Sequence, residues 1–230
     1  MSNDKRFLAL RLEGPLQSWG FDSQYNRRNT SLMPTKSAIA GMCCAALGYS
    51  RGSEQEQEFL ASFLNVRMTV ISIPRYVEKK DKPYTLAVRR LQDYQTVQNT
   101  MRASGTVNKD CVLTHRQYLA DASFGVLLEG KSSLLEQIAN ALRDPVWGIW
   151  LGRKACIPTA PVFAGLESER EAALKLLIGD NPLQSFTRQE EVKDFSAGKD
   201  SLPDVAISFE SGKREFSVRR VKTLQAGEMM

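Results

Sequence analysis

The stretch VRMTVISIPRYVEKKDKPYTLAVRRLQDYQTVQNTMRASGTVNKDCVLTHRQYLA, Val66 to Ala120, decides how the chain is read. It opens on a strand-like alternation (Val66, Met68, Val70, Ile71, Ile73) and closes just before another apolar run, Ser123–Leu128. Between the two, Arg75 to Cys111 offers little to bury. The stretch holds ten Lys/Arg against four acids, a net of +6, while the whole chain carries +5, so everything else sums to −1. Basic character is therefore concentrated in one insertion between two strands of a single domain.

Tyr76, Tyr84, Tyr94 and Tyr118 are interleaved with these cations. Phosphates need cations and unpaired bases need rings to stack on, so the composition fits single-stranded nucleic acid. A solvated surface loop is the other reading that composition alone allows.

A length of 230 residues supports one large domain, or one domain with a small appendage, and 42% hydrophobic residues provide a sizeable core. No apolar run reaches the roughly 18 residues of a membrane span. The start, Met1 to Arg6, leads into a strand pattern without a signal-peptide core, so a cytoplasmic location is expected. Cys43, Cys44, Cys111 and Cys156 lack metal-ligand spacing and read as reduced thiols. With His115 as the single histidine, neither a metal site nor a cofactor is expected.

The elements follow in order. Phe7–Leu12 reads as a first strand stopped by Gly14-Pro15, followed by a polar connection holding Trp19, Tyr25, Arg27 and Arg28. A helix is predicted from Pro34 to Leu47 with Gly48 as its stop, and Lys36 and Ser37 in its first turn make either an anion seat or an ordinary helix start. A second helix, Glu54–Leu64, buries Phe59, Leu60 and Phe63 and shows its acids to water. Val66–Ile73 is the second strand, Ser123–Glu129 the third, Ser132–Leu142 a helix and Ile149–Leu151 the fourth strand. Within the excursion, Tyr84–Arg90 and Asp93–Val97 suit hairpin arms, and Asn99–Lys109 is expected to be mobile. Strand, helix, strand, strand, helix, strand is the ferredoxin-like order shared by RRM-type RNA binders. The expected fold is thus α+β: a ferredoxin-like domain over 1–165 with a basic insertion at 75–111. A small β-containing appendage follows at 166–230.

Gly125 to Ser132 formally fits the phosphate-loop pattern, but its intervening residues Val126, Leu127, Leu128 and Glu129 belong to a strand, so nucleotide binding is not expected. Metal-free RNA cleavage would need a base and an acid; His115 can supply one, and no second proton-transfer group stands out. Gly152 permits close backbone approach and is followed by Arg153 and Lys154. Together with Arg27, Arg28, Lys36, Ser37, Arg89, Arg90, Arg102 and Arg116 these suggest a continuous positive track. Tyr94, Tyr118 and Trp19 are stacking candidates, Trp19 equally a core residue.

Five segments together resemble the CasD family of type I-E CRISPR Cascade subunits. They are Leu12-Glu-Gly-Pro-Leu-Gln-Ser-Trp-Gly20, Pro34-Thr-Lys-Ser37 with Gly41, Leu91-Gln-Asp-Tyr-Gln-Thr-Val97, Arg116-Gln-Tyr-Leu-Ala-Asp-Ala-Ser-Phe124 and Leu151-Gly-Arg-Lys154. The matches keep the family's order from Leu12 to about Gly165 and thin beyond it. The resemblance implies a RAMP-superfamily protein whose thumb is the Arg75–Cys111 excursion. It also implies a grip through Gly152, Arg153 and Lys154 on the five-prime handle of the crRNA. The implied partners are the backbone subunit CasC, the large subunit CasA and, through the complex, target DNA. Such subunits are not expected to cut, because another subunit, CasE, processes the precursor. The alternative is the metal-independent repeat endoribonuclease of the type I-C relatives, with His115 as its catalytic candidate; Thr114 stands where those relatives would carry a lysine before the histidine.

Overall fold

The computed structural model describes residues 4–23, 25–79 and 82–228, and side chains outside 78–84. Met1–Asn3, Lys80 and Asp81 therefore lie outside the described residues, as do the side chains of Lys79, Lys82 and Tyr84. The first half of the chain forms strands β1 (Lys5–Glu13), β2 (Leu16–Gln17) and β3 (Arg27–Arg28), then helices α1 (Lys36–Leu47) and α2 (Glu54–Phe63) and strand β4 (Arg67–Ser72). The Arg75–Cys111 excursion forms β5 (Arg75–Lys79), β6 (Lys82–Leu86) and β7 (Arg89–Val97), and β8 (Val112–Ala120) follows just past its expected end. There follow β9 (Ser123–Lys131), α3 (Ser132–Arg143), β10 (Phe163–Glu167), α4 (Arg170–Ile178), β11 (Arg188–Glu191), β12 (Asp200–Ser208) and β13 (Glu215–Leu224).

Strand alternation dictates the layers. Leu8, Leu10, Leu12, Met68, Val70, Val126 and Leu128 point to one side of the sheet and pack with α1, α2 and α3. Ala9, Ile71 and Leu127 point to the other side, under Ala173, Leu174 and Leu177 of α4. Because both faces are covered, Ser123–Leu128 of β9 is buried throughout and reads as a continuous apolar run rather than an alternating one. The phosphate-loop-like pattern of Gly125–Ser132 accordingly lies in β9 and its junction with α3.

The spatial order β10-β1-β9-β4 with antiparallel pairing throughout is the ferredoxin-like arrangement. One strand sits elsewhere than expected. Ile149–Leu151 is irregular backbone, and the fourth strand is β10, paired to β1 from Phe7↔Glu167 to Leu10↔Phe163. The apolar Ile149–Leu151 run turns away because Leu151 bonds outside any ladder: its carbonyl accepts from Ser18 N–H (3.0 Å) and its N–H donates to the Cys156 carbonyl (2.8 Å). β11 pairs antiparallel with β4, so residues of the 166–230 region carry the same sheet onward through β13 and β12.

Local signals account for the helix ends. Gly48 takes the left-handed conformation (φ 74°) that closes α1. At α2, Ser53 Oγ accepts from Glu56 N–H (3.2 Å) and the Glu56 carboxylate accepts from Gly52 N–H (2.7 Å). Glu56 is consequently buried, not turned to water as expected for the acids of this helix.

The excursion together with β8 forms two hairpins, β5–β6 and β7–β8. Residues 99–109 close the longer one with a Met101↔Val107 bridge and bonds from Asn108 N–H to Thr100 O and Arg102 N–H to Thr106 O. Among the described residues no helix is long and apolar enough to cross a membrane.

Candidate functional site

The loop between α3 and β10, which takes the place of the expected fourth strand, is built around Gly152. Its φ of 100° suits glycine, and a Cβ there would lie 1.8 Å from the Ser18 carbonyl oxygen. That close approach seats the loop against Ser18, where the chain leaves β2. Arg153 then reaches back over it: one guanidinium nitrogen donates to the Gln117 carbonyl (3.1 Å), another to the Arg28 carbonyl (2.7 Å). The same guanidinium lies 4.8 Å from the centroid of the Tyr118 ring. Lys154, next in the chain, remains exposed.

In front of this loop opens a cleft of about 740 Å³, bounded by α1, by 18–23 and Arg28, by 147–154 and by 209–216. Ser37, Ala38, Gly41 and Ala45 give α1 a small-residue floor. The walls carry Arg28, Arg51, Arg153, Lys154 and Arg214, against one carboxylate, Glu56, already engaged with Gly52. Tyr49, Trp147, Trp150, Phe209 and Phe216 supply rings. Of the residues expected to form the site, Arg28, Ser37, Gly152, Arg153 and Lys154 are brought together here.

Three expected site residues, Trp19, Lys36 and Tyr118, are buried instead. Trp19 is 0% exposed; its indole N–H donates to Gln17 Oε1 (3.2 Å), leaving no open ring face for a base. Lys36 is 1% exposed and its ammonium donates to Glu191 (2.8 and 3.1 Å). Burial pushes the Lys36 pKa down from 10.5, against the opposing pull of Glu191. The α1 N-terminus is also partly engaged: Lys36 N–H donates to Asp204 (2.9 Å), whose carboxylate in turn takes two bonds from Arg219 (2.7 and 2.9 Å). This buried network ties the start of α1 to β11, β12 and β13.

The register of β7 and β8 sorts the remaining candidates. Directly opposed residues share a face, so Arg116, opposite Arg28 and Asp93, shares a face with Tyr118 and Leu91. Arg27, His115 and Tyr94 form a row on the other face, with the imidazole and phenol rings 5.1 Å apart. Arg90 belongs to that second face. Arg89 and Arg75 converge on Asp121 at 3.8 and 3.2 Å, at the root of the two hairpins, and Arg102 bonds Asn108 Oδ1 (2.7 Å) near the tip. Tyr118 is buried beneath Arg153, so it supports the cation rather than presenting a free ring.

Residues 7–222 match the model of the family described as CRISPR-associated protein (Cas_Cas5). The chain belongs to the Cas5 family. It is 30% identical over 165 residues to the CRISPR system Cascade subunit CasD of Escherichia coli (strain K12), an alignment spanning 70% of this chain and 71% of that protein. A chain of a CRISPR RNA-guided surveillance complex is 26% identical and superposes with a TM-score of 0.73, covering 96% of this chain and 90% of its own. A crystal structure of a Cas protein is 27% identical with a TM-score of 0.64, covering 96% and 95%.

Sequence reasoning missed Arg51, Arg214, Trp147 and Trp150 of this Cas5-family cleft. Arg51 and Arg214 are remote in sequence and meet only because β12 and β13 extend the sheet beside α1. A local signal for the tryptophans did exist: they flank Gly148-Ile149 immediately before Leu151-Gly152-Arg153. Reading Ile149–Leu151 as a strand masked it.

Proposed function

We propose that the protein is a non-catalytic RNA-binding subunit of a type I-E Cascade complex, holding the five-prime handle of the crRNA in the cleft. It would cap the backbone formed by CasC, adjoin CasA and reach target DNA only through the assembly. The observation that carries this reading is the convergence of Arg28, Ser37, Gly152, Arg153 and Lys154 in a basic, ring-lined cleft. Five cations around one engaged carboxylate favour a polyanion, and a Gly152 loop pressed on Ser18 presents backbone closely. The CasD likeness and the match to a surveillance-complex chain agree with it. The Arg75–Cys111 excursion, with Arg89, Arg90, Tyr94 and Arg102, serves as the thumb toward RNA and the neighbouring subunit, and Arg116 extends it on the returning strand β8.

The non-catalytic part rests on His115, the single histidine, whose ring lies against Tyr94 with Thr114 before it. Its test is incubation of the purified protein with labelled repeat RNA in EDTA, from which intact RNA is expected; cleavage lost in His115→Ala would reverse the assignment. The binding part is tested by Arg28→Ala combined with Lys154→Ala. Affinity of the complex for guide RNA should fall, and its log–log salt slope should shrink by roughly 0.7 for each phosphate left without its cation. Unchanged affinity and slope would refute it.

A further inference from the structure

Two of the three tryptophans in this chain stand at the cleft in an unusual state. Trp147 is 45% exposed and Trp150 37%, whereas tryptophan is on average a highly buried residue. They are not on a loose loop. Val146 N–H donates to Ala46 O (2.9 Å) and Trp147 N–H to Ala45 O (3.2 Å), which bolts the segment to the end of α1. Gly148 leaves room for the Trp150 ring to pack against the chain, since a Cβ at 148 would come within 2.9 Å of Trp150 Cζ2. At its far end the segment runs into the Gly152 turn and the Arg153 brace. The main chain that carries the two rings is thus anchored, the Trp150 ring rests on Gly148, and both rings stay partly open beside the cations of the same cleft.

We infer that Trp147 and Trp150 form the platform on which an unpaired base of the bound RNA strand stacks. The inference rests on the proposed function and adds the element that recognises a base rather than phosphate. Tryptophan rings on an anchored main chain suit this role because every base has a π-face and an indole has only two side-chain torsions to lose on contact. It also replaces Trp19 and Tyr118, whose rings are buried. A protein segment packed on the two rings is the competing occupant; the excess of cations around them favours RNA.

The test uses the full chain in its co-purified complex and guide RNA carrying single abasic nucleotides along its five-prime segment. With the unaltered protein, one abasic position should weaken binding about ten- to a hundredfold. Trp147→Leu and Trp150→Leu should weaken intact RNA comparably and erase the penalty at that position, while Trp→Phe at each site restores most of both. Intrinsic fluorescence supplies a readout without a core change: RNA should quench emission of the unaltered protein, and the quench should vanish in Trp147→Phe/Trp150→Phe, where Trp19 remains. The inference is overturned if the abasic profile is the same with and without the two rings. It is overturned equally if the Leu variants lose subunit assembly in RNA-free preparations, or if emission ignores saturating RNA. Failure of the broader reading looks different: there, Arg28→Ala/Lys154→Ala would leave the salt slope unchanged.

Discussion

The Arg153 guanidinium stands 4.8 Å above the Tyr118 ring while donating to the carbonyls of Gln117 and Arg28. A cation at the mouth of a basic cleft is thus also a brace between the 151–156 loop and strands β3 and β8. Arg153→Lys should therefore fail to substitute, because an ammonium lacks the planar fork that spans both carbonyls and stacks on the ring. We expect a loss of about 1–3 kcal/mol in stability, read by denaturant unfolding. Full stability in the lysine variant would show the brace to be idle.

Gly152→Ala places a methyl against the Ser18 carbonyl, 1.8 Å away in the present backbone, at a φ unfavourable to alanine. The loop must lift, so a cost of about 2–4 kcal/mol is expected, together with loss of RNA binding. A variant that unfolds like the parent would mean that the loop accommodates the change freely.

Lys36→Met separates the buried network from the cleft. It uncovers Glu191, which retains Met68 N–H (3.1 Å) and the more distant Arg219 (3.7 Å), so a destabilisation of about 2–4 kcal/mol should follow. The salt slope of RNA binding should not move. A slope reduced by roughly 0.7 at unchanged stability would instead put this ammonium on a phosphate.

Glu129 gives the protein part of its acid sensitivity. Burial alone would raise its pKa, but hydrogen bonds from Arg67 and Lys5 outweigh that and hold it below 4.5. A carboxylate lowered on folding contributes stability that is complete above 4.5 and disappears as pH falls through its folded value. Glu129→Gln should flatten that acid limb in urea unfolding between neutral pH and about pH 3. Parallel limbs for parent and variant would contradict the assignment.

The strands that could be read in advance were those whose pattern is dense: Val66–Ile73 and Ser123–Glu129 each lie within two residues of β4 and β9. β10 was hidden because Phe163–Glu167 is a short edge strand of half-buried residues with Gly165 inside, while Ile149–Leu151 looked more apolar and yet serves as a docked loop. In the cleft, Gly152 beside two cations was visible as a local motif. The fate of Lys36 was not, since Glu191 and Asp204, which bury and engage it, belong to strands far along the chain. Arg51 and Arg214 escaped for the same reason, being neighbours only after β12 and β13 join the sheet.

Photocrosslinking of the assembled RNA-bound complex, read by mass spectrometry of this subunit, tests the central claim most directly. The cleft assignment predicts nucleotide adducts on peptides containing Arg28, Arg51, Trp147–Lys154 and Arg214. Adducts confined to the outer faces of α3 and α4, with the cleft peptides unmodified, would contradict it.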